Sequence, residues 1–219
     1  MELLVATLVY TTQGRDKDTI TQVHQLASTL RSAPGLINTR IYRSRGPGAY
    51  YLMLTNWEKE DLWRKAQGRY DPRQSLMKAK QDLFASPPEQ WLMYYLWGYS
   101  RPASEPQYTT LNLLTTHSDQ GESAKQHWLE MLQQQSAEPR LAFSFLARGT
   151  KEEPQTGPQE KETLSALKEN IQQGTTFLNL LSWQTESQRM EFYSSPRYQK
   201  TERLLNTIGN MQVLILEAL

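Results

Sequence analysis

The sequence has no cysteine. That excludes disulfide staples, thiolate metal sites and a cysteine nucleophile, and it fits a reducing cytoplasm. Histidine is scarce as well: His24, His117 and His127 are the only three in 219 residues. None stands in a metal-ligand spacing with an acidic partner, so zinc chemistry has no ligand set. Charge of one sign is also missing. Lys and Arg number 24 against 23 Asp and Glu, a net charge of +1, so nothing marks a nucleic-acid or anionic-membrane partner. No apolar run approaches the roughly 20 residues of a spanning helix. The opening MELLVATLVYTTQGRD lacks a basic start and a small-residue cleavage site and reads as a strand, not a signal peptide. There is no GxGxxG, no Walker loop and no GxSxG elbow, which removes the sequence basis for nucleotide binding and for Ser-His-Asp catalysis.

What is present is a unit written twice. Tyr50–Trp63 reads YYLMLTNWEKEDLW, and Phe177–Met190 reads FLNLLSWQTESQRM. Each is a strand-like apolar run that ends on a Trp and opens into a helix-like run with a Glu three residues on, Glu60 and Glu186. The register extends the match. Thr7 and Asn112 lie 105 apart (112 − 7), as do Pro34 and Pro139 (139 − 34). Trp57 and Trp183 lie 126 apart (183 − 57), so the second copy carries 21 extra residues between strands two and three (126 − 105).

In the first copy the pattern predicts a strand over Leu3–Thr12 and a helix over Asp16–Ser32 that stops at Pro34-Gly35. Strands follow over Leu36–Arg43 and Tyr50–Trp57. Helical sequence runs from Glu58 to near Phe84 with a break at Tyr70-Asp71-Pro72, and Trp91–Tyr99 is strand four. The order β-α-β-β-α-β is the split ferredoxin-like unit. Ser100–Gln107 carries two prolines and reads as a linker. The order then restarts: a strand over Tyr108–Thr116, a helix over Asp119–Gln135, a strand over Leu141–Ala147, a strand over Phe177–Trp183, a helix from Glu186 broken near Pro196, and a strand over Met211–Leu219. The reading is therefore α+β, with tandem ferredoxin-like repeats at 1–100 and 108–219 joined by 101–107, their sheets forming one pseudo-dimeric α+β barrel. Thr150–Gln173 has no counterpart in the first copy, and its polar composition predicts a mobile loop with a short helix near Leu164–Ile171. Trp91, Tyr95, Trp97 and Tyr99 are expected on one face of strand four, filling space between the sheets.

A family resemblance rests on Ala33-Pro34-Gly35-Leu36, on Tyr51–Glu60 (YLMLTNWEKE) and, in the second copy, on Trp183, Glu186, Phe192 and Ser194-Ser195-Pro196-Arg197-Tyr198. These strings resemble the antibiotic biosynthesis monooxygenase family, the dimeric α+β barrels. Most members carry one copy and dimerise, so this chain is similar to such a dimer fused into one polypeptide. The resemblance implies a ligand cleft between helices and sheet, and an oxygenase that needs neither metal nor flavin and acts on a small aromatic or polyketide-like compound. It implies Asn112 as the polar group on the first strand of the second copy, in the catalytic role, with Trp183 and Phe192 walling the cleft and Tyr193 or Tyr198 offering a phenol. The first copy has Thr7 for Asn112, Ala66 for Phe192 and Gly68-Arg69-Tyr70-Asp71-Pro72 for the Ser-Ser-Pro-Arg-Tyr string, which suggests a structural role for that half.

The family's haem-degrading members hold iron through a His on the helix after strand three. Here that helix has no His in either copy, so haem degradation is not expected. Two function classes remain open: the cofactor-independent monooxygenase, and a non-catalytic small-ligand-binding or scaffolding protein in which side chains fill the cleft. The expected partner is a small-molecule ligand, with no nucleic acid and no membrane. The expected state is a monomer with an internal pseudo-dimer, or a dimer through another surface.

Overall fold

Both faces of Leu3–Tyr10 are buried, because one meets the interior of a barrel and the other a layer of helices. The computed structural model describes residues 1–46, 49–78, 82–102, 106–117, 119–136, 141–152 and 174–219. The first unit contains β1 (Leu3–Tyr10), α1 (Asp16–Leu30), β2 (Leu36–Ser44), β3 (Tyr50–Trp57), α2 (Glu60–Tyr70), α3 (Pro72–Met77) and β4 (Glu89–Ser100). The second contains β5 (Tyr108–Thr116), α4 (Gly121–Ser136), β6 (Leu141–Glu152), β7 (Thr176–Trp183), α5 (Glu186–Ser194), α6 (Pro196–Ile208) and β8 (Gly209–Ala218). The strands close into one barrel in the order β1-β3-β2-β8-β5-β7-β6-β4. Within each unit the spatial order is four-one-three-two, and each outer strand pairs with an outer strand of the other unit. The tandem ferredoxin-like reading therefore holds.

Alternation sorts the side chains. Leu4, Ala6, Leu52, Leu54, Leu111, Leu113, Leu178 and Leu180 fill the interior. The opposite faces carry Leu3, Val5 and Trp57 in one unit and Leu114, Phe177, Leu181 and Trp183 in the other, packed under helices. Local signals set the boundaries. Gly35 has φ 82°, a conformation glycine adopts without a Cβ penalty, and a Cβ there would sit 2.8 Å from Leu62 Cβ. The break before α3 is a cap, with the Asp71 carboxylate accepting from the amides of Arg73 and Gln74 and Pro72 opening the helix.

The two seams between units differ in length. β4 and β6 pair from Gln90↔Glu152 to Ser100↔Phe143. β2 and β8 pair at Tyr42↔Ala218, Arg43↔Glu217 and Ser44↔Leu216, with flanking backbone bonds from the Arg45 amide to the Ile215 carbonyl and from the Leu219 amide to the Ile41 carbonyl. The registers are equivalent: Ser44 and Gly149 are 105 apart (149 − 44) and face Leu216 and Met93, which are 123 apart (216 − 93). β8 spans Gly209–Ala218, with Ala218 the counterpart of Tyr95, and β4 spans Glu89–Ser100.

Two expectations need correction. Thr150, Lys151 and Glu152 belong to β6, where Leu92, Trp91 and Gln90 of the other unit complete their ladder; the rest of the expected loop, 153–173, lies outside the described residues. The strand-four aromatics do not share a face. The ladder slips between Tyr95 and Trp97, so Trp91 and Tyr95 join the interior while Trp97 and Tyr99 pack with the helix-side cluster of the second unit. Among the described residues no helix is long and apolar enough to cross a membrane.

Candidate functional site

Asn112 sits in the middle of β5, opposite Asn179 on β7 and Val213 on β8. Its neighbours Leu111 and Leu113 point into the barrel, so Asn112 faces the helices, where it is 0% exposed. A buried carboxamide needs partners, and α5 and α6 bring them. The Thr185–Gln188 capping box starts α5. Ser195 breaks the helix: its hydroxyl donates to the Phe192 carbonyl at 2.7 Å and accepts from the Tyr198 amide at 3.2 Å, and Pro196 opens α6. The Ser-Ser-Pro string is thus a hinge that sets two phenols side by side, with ring centroids 4.5 Å apart.

Both phenols reach Asn112. Asn112 Nδ2 donates to Tyr193 Oη at 3.2 Å and lies 3.5 Å from Asn179 Oδ1. Tyr198 Oη donates to Asn112 Oδ1 at 3.3 Å. Asn179 Nδ2 is tied to the Phe145 carbonyl at 3.0 Å, which fixes the amide. Trp183 and Phe192 wall the cluster, with centroids 5.3 Å apart, and Trp183 stands 5.8 Å from Tyr193. The structure therefore brings together all five residues expected from sequence: Asn112, Trp183, Phe192, Tyr193 and Tyr198. It adds two. Asn179 was legible only as a lone polar letter in FLNLL. Arg189, whose guanidinium lies 5.9 Å over the Tyr193 ring and pairs with Glu186, stands one helical turn before Tyr193.

The electrostatics make this a donor site. Burial pushes the Tyr193 hydroxyl well above its ordinary range, against a smaller opposing effect of its hydrogen bond from Asn112. Burial also raises Tyr198, helped by neighbouring Tyr193 and Glu202. Both phenols stay protonated at neutral pH. Trp183 Nε1 is buried with no hydrogen-bond partner among the described residues, a further donor facing this layer. The rings fill the space against one another, and Trp183, Phe192 and Tyr198 are all buried. Solvent is one strand away: Val213 shares the helix-side face with Asn112 and is 41% exposed.

The equivalent place in the first unit is different. Thr7 faces Met53 and donates to Gln90 Oε1 at 3.0 Å. At the offset of 126, Gln67 stands for Tyr193 (193 − 126), Pro72 for Tyr198 (198 − 126) and Trp63 for Arg189 (189 − 126). Trp57 packs on Trp63 at 5.1 Å in an apolar cluster with Leu3, Val5, Ala33 and Ala66. Among the described residues no group of three or more His, Asp or Glu side chains is placed to hold a metal ion.

Residues 3–69 match the family model for antibiotic biosynthesis monooxygenase. No curated protein matches the sequence. Among solved structures, an anthrone oxidase-like protein matches with a TM-score of 0.72 at 10% identity, over 100% of this chain and 91% of that one. A candidate monooxygenase from Fusobacterium nucleatum subsp. nucleatum gives 0.67 at 6% identity, over 100% and 92%. A candidate monooxygenase from Lactobacillus acidophilus gives 0.61 at 8% identity, over 99% and 93%. At these identities the structural likeness establishes the fold.

Proposed function

We propose, on the premise that residues 3–69 form an antibiotic biosynthesis monooxygenase domain and that the chain is a fused pair of such units, that the second unit is a cofactor-independent oxygenase site for a small phenolic or polyketide-like compound. One observation carries the reading: Asn112, Tyr193 and Tyr198 converge by hydrogen bonds inside an otherwise apolar layer. Packing alone is served better by apolar groups, since desolvating an amide and two phenols costs free energy that their mutual bonds only offset.

In this reading the substrate's ring lies against Trp183 and Phe192 after the helix side opens over Val213. Asn112 Nδ2 and the neutral phenols donate to the substrate's oxygen. Stabilising charge on that oxygen acidifies the adjacent carbon, and the proton passes to water. The carbanion adds dioxygen to give a hydroperoxide, which loses water. A CH2 group and O2 thus become C=O and H2O, with the substrate supplying all four electrons. No flavin or metal is needed for that balance. The test is oxygen uptake by the full chain with anthrone as the probe. Asn112→Ala should lower the rate by roughly 100-fold, the scale of losing one preorganised oxyanion donor. Uptake equal to the protein-free rate would sink the proposal, whether or not anthrone binds.

A second reading, a binding or scaffolding protein without turnover, is favoured by the ring contacts that fill the layer. It predicts anthrone binding without oxygen uptake, or neither. Under both readings the barrel consumes most of its own outer strands, so the expected state in sedimentation is a monomer, or a dimer through another surface.

A further inference from the structure

The short seam leaves the barrel open at one end. Below Ile41, whose carbonyl accepts from the Leu219 amide at 3.0 Å, the edge of β2 has no ladder partner among the described residues. Two cavities of about 810 and 600 Å³ open there, and both are lined by Asn38, Arg40, Ser100 and Phe143. The smaller one reaches the barrel interior, which the register explains. Asn38 and Arg40 face Asn56 and Leu54, and Gly98 faces Phe145, all on the inward side. A Cβ on Gly98 would meet nothing closer than the Ser144 carbonyl at 4.0 Å, so the cavity exists where an interior position lacks a side chain.

The chemistry of the lining is specific. Arg40 has no carboxylate partner among the described residues; its guanidinium lies 5.0 Å over the Phe143 ring and beside the Tyr42 phenol. Asn56 Oδ1 accepts from Tyr95 Oη at 2.8 Å, which turns the amide and leaves its NH2 available to the cavity. Asn38 is exposed at the rim. Phe143, Phe145 and Tyr95 are aromatic walls, the last two packed edge to face at 5.2 Å. One uncompensated guanidinium beside two carboxamides suits a single carboxylate, which arginine takes in a planar, two-point contact. The volume falls in the ordinary range for small-molecule sites, a few hundred Å³ with few polar groups on apolar walls.

We infer that the barrel mouth binds a small planar aromatic carboxylate, with Arg40 on the carboxylate and Phe143, Phe145 and Tyr95 around the ring. This site is on the opposite face of the sheet from Asn112 and does not depend on the oxygenase reading.

The experiment is a titration of the full chain with 2-naphthoate, read by calorimetry, beside the neutral 2-naphthalenemethanol. Saturable binding of the carboxylate is expected. Arg40→Met should weaken it at least tenfold without changing binding of the alcohol. Gly98→Leu, which fills the cavity, should abolish both, and Asn112→Ala should leave both unchanged. The inference is overturned by absence of saturable naphthoate binding, by affinity that Arg40→Met and Gly98→Leu leave intact, or by binding lost in Asn112→Ala, which would put the ligand in the helix-side cleft. Should Gly98→Leu not fold, the carboxylate-against-alcohol contrast in Arg40→Met decides alone.

Discussion

The two helix–sheet layers share a backbone and differ in what fills it. In the first unit Trp63 closes on Trp57, whose indole donates to Thr55, and the position of Asn112 is held by Thr7, which bonds Gln90. In the second, Arg189 takes the place of Trp63, Tyr193 that of Gln67, Tyr198 that of Pro72 and Asn112 that of Thr7. The family model matches the first unit, although the polar cluster belongs to the second. A family signature in this fold therefore follows the apolar frame and the turn residues, which both units need, and is silent about side chains that only one of them carries.

The largest test of the comparison removes the shared element. Trp57→Ala and Trp183→Ala each empty a fully buried site and should cost about 3–5 kcal/mol in urea unfolding. Because the strands of both units close one barrel, each variant should still unfold in a single transition. A two-step curve would show that the units are stable separately.

The next test uses what is not shared. Asn112→Leu strands the Tyr193 and Tyr198 hydroxyls and should cost about 1–3 kcal/mol, the penalty of leaving buried polar groups unpaired. Thr7→Val removes one hydroxyl with its shape kept and should cost about 1 kcal/mol or less. Equal losses would mean that the cluster around Asn112 is no more interdependent than the single bond at Thr7.

Sequence showed the frame and not the ladder. The strand ends at Trp57 and Trp183, the breaks at Asp71-Pro72 and Ser195-Pro196 and the offset of 105 were legible because each is written in local chemistry. The slip at Leu96, which turns Trp97 and Tyr99 outward, was not, since it is imposed by pairing with β6. The extension of β6 through Glu152 was hidden for the same reason. Its residues are polar and look like a loop until Gln90–Leu92 supply their hydrogen bonds. At the site, Asn112 stood out as a polar letter in an apolar run, but its bonds to two helices 81 and 86 residues away depend on how the Ser195 hinge aims them.

A smaller effect depends on pH, and the first unit shares in it, since burial and the neighbouring Asp16 raise Tyr51 there. Tyr193 and Tyr198 are raised above the ordinary phenol value of 10.0 in the folded chain, while their counterparts, Gln67 and Pro72, do not titrate. The folded state holds these protons when the unfolded chain has lost them. Their contribution is therefore complete below about pH 10 and is lost as pH rises above it, at up to about 1.4 kcal/mol per pH unit for each phenol. In the double variant Tyr193→Phe, Tyr198→Phe the alkaline fall in stability should be shallower. An unchanged slope would show that neither hydroxyl is held protonated by its surroundings.

The smallest expected effect lies at the short seam, where Arg43 links Asp16 and Glu217 across β2 and β8. These groups are about one-third exposed, so Arg43→Gln should cost no more than about 1 kcal/mol, and less in high salt. Hydrogen exchange at Arg43 and Ser44 should outpace that at Tyr94 and Tyr95 on the long seam, and the variant should widen the gap.

Closing two sheets edge to edge also bears on solubility. A four-stranded sheet alone would present two unpaired borders, each a template for strand addition by another molecule. Fusion hides both borders of each sheet except along part of β2, where Ile37 and Asn38 face no neighbour from β8 and Ile37 is 46% exposed. That remnant is short, and Arg40 puts a positive charge at its centre. A charge on a brief border is a common deterrent to intermolecular strand pairing, and the arginine proposed to hold an anion is placed to act as one while the mouth is empty.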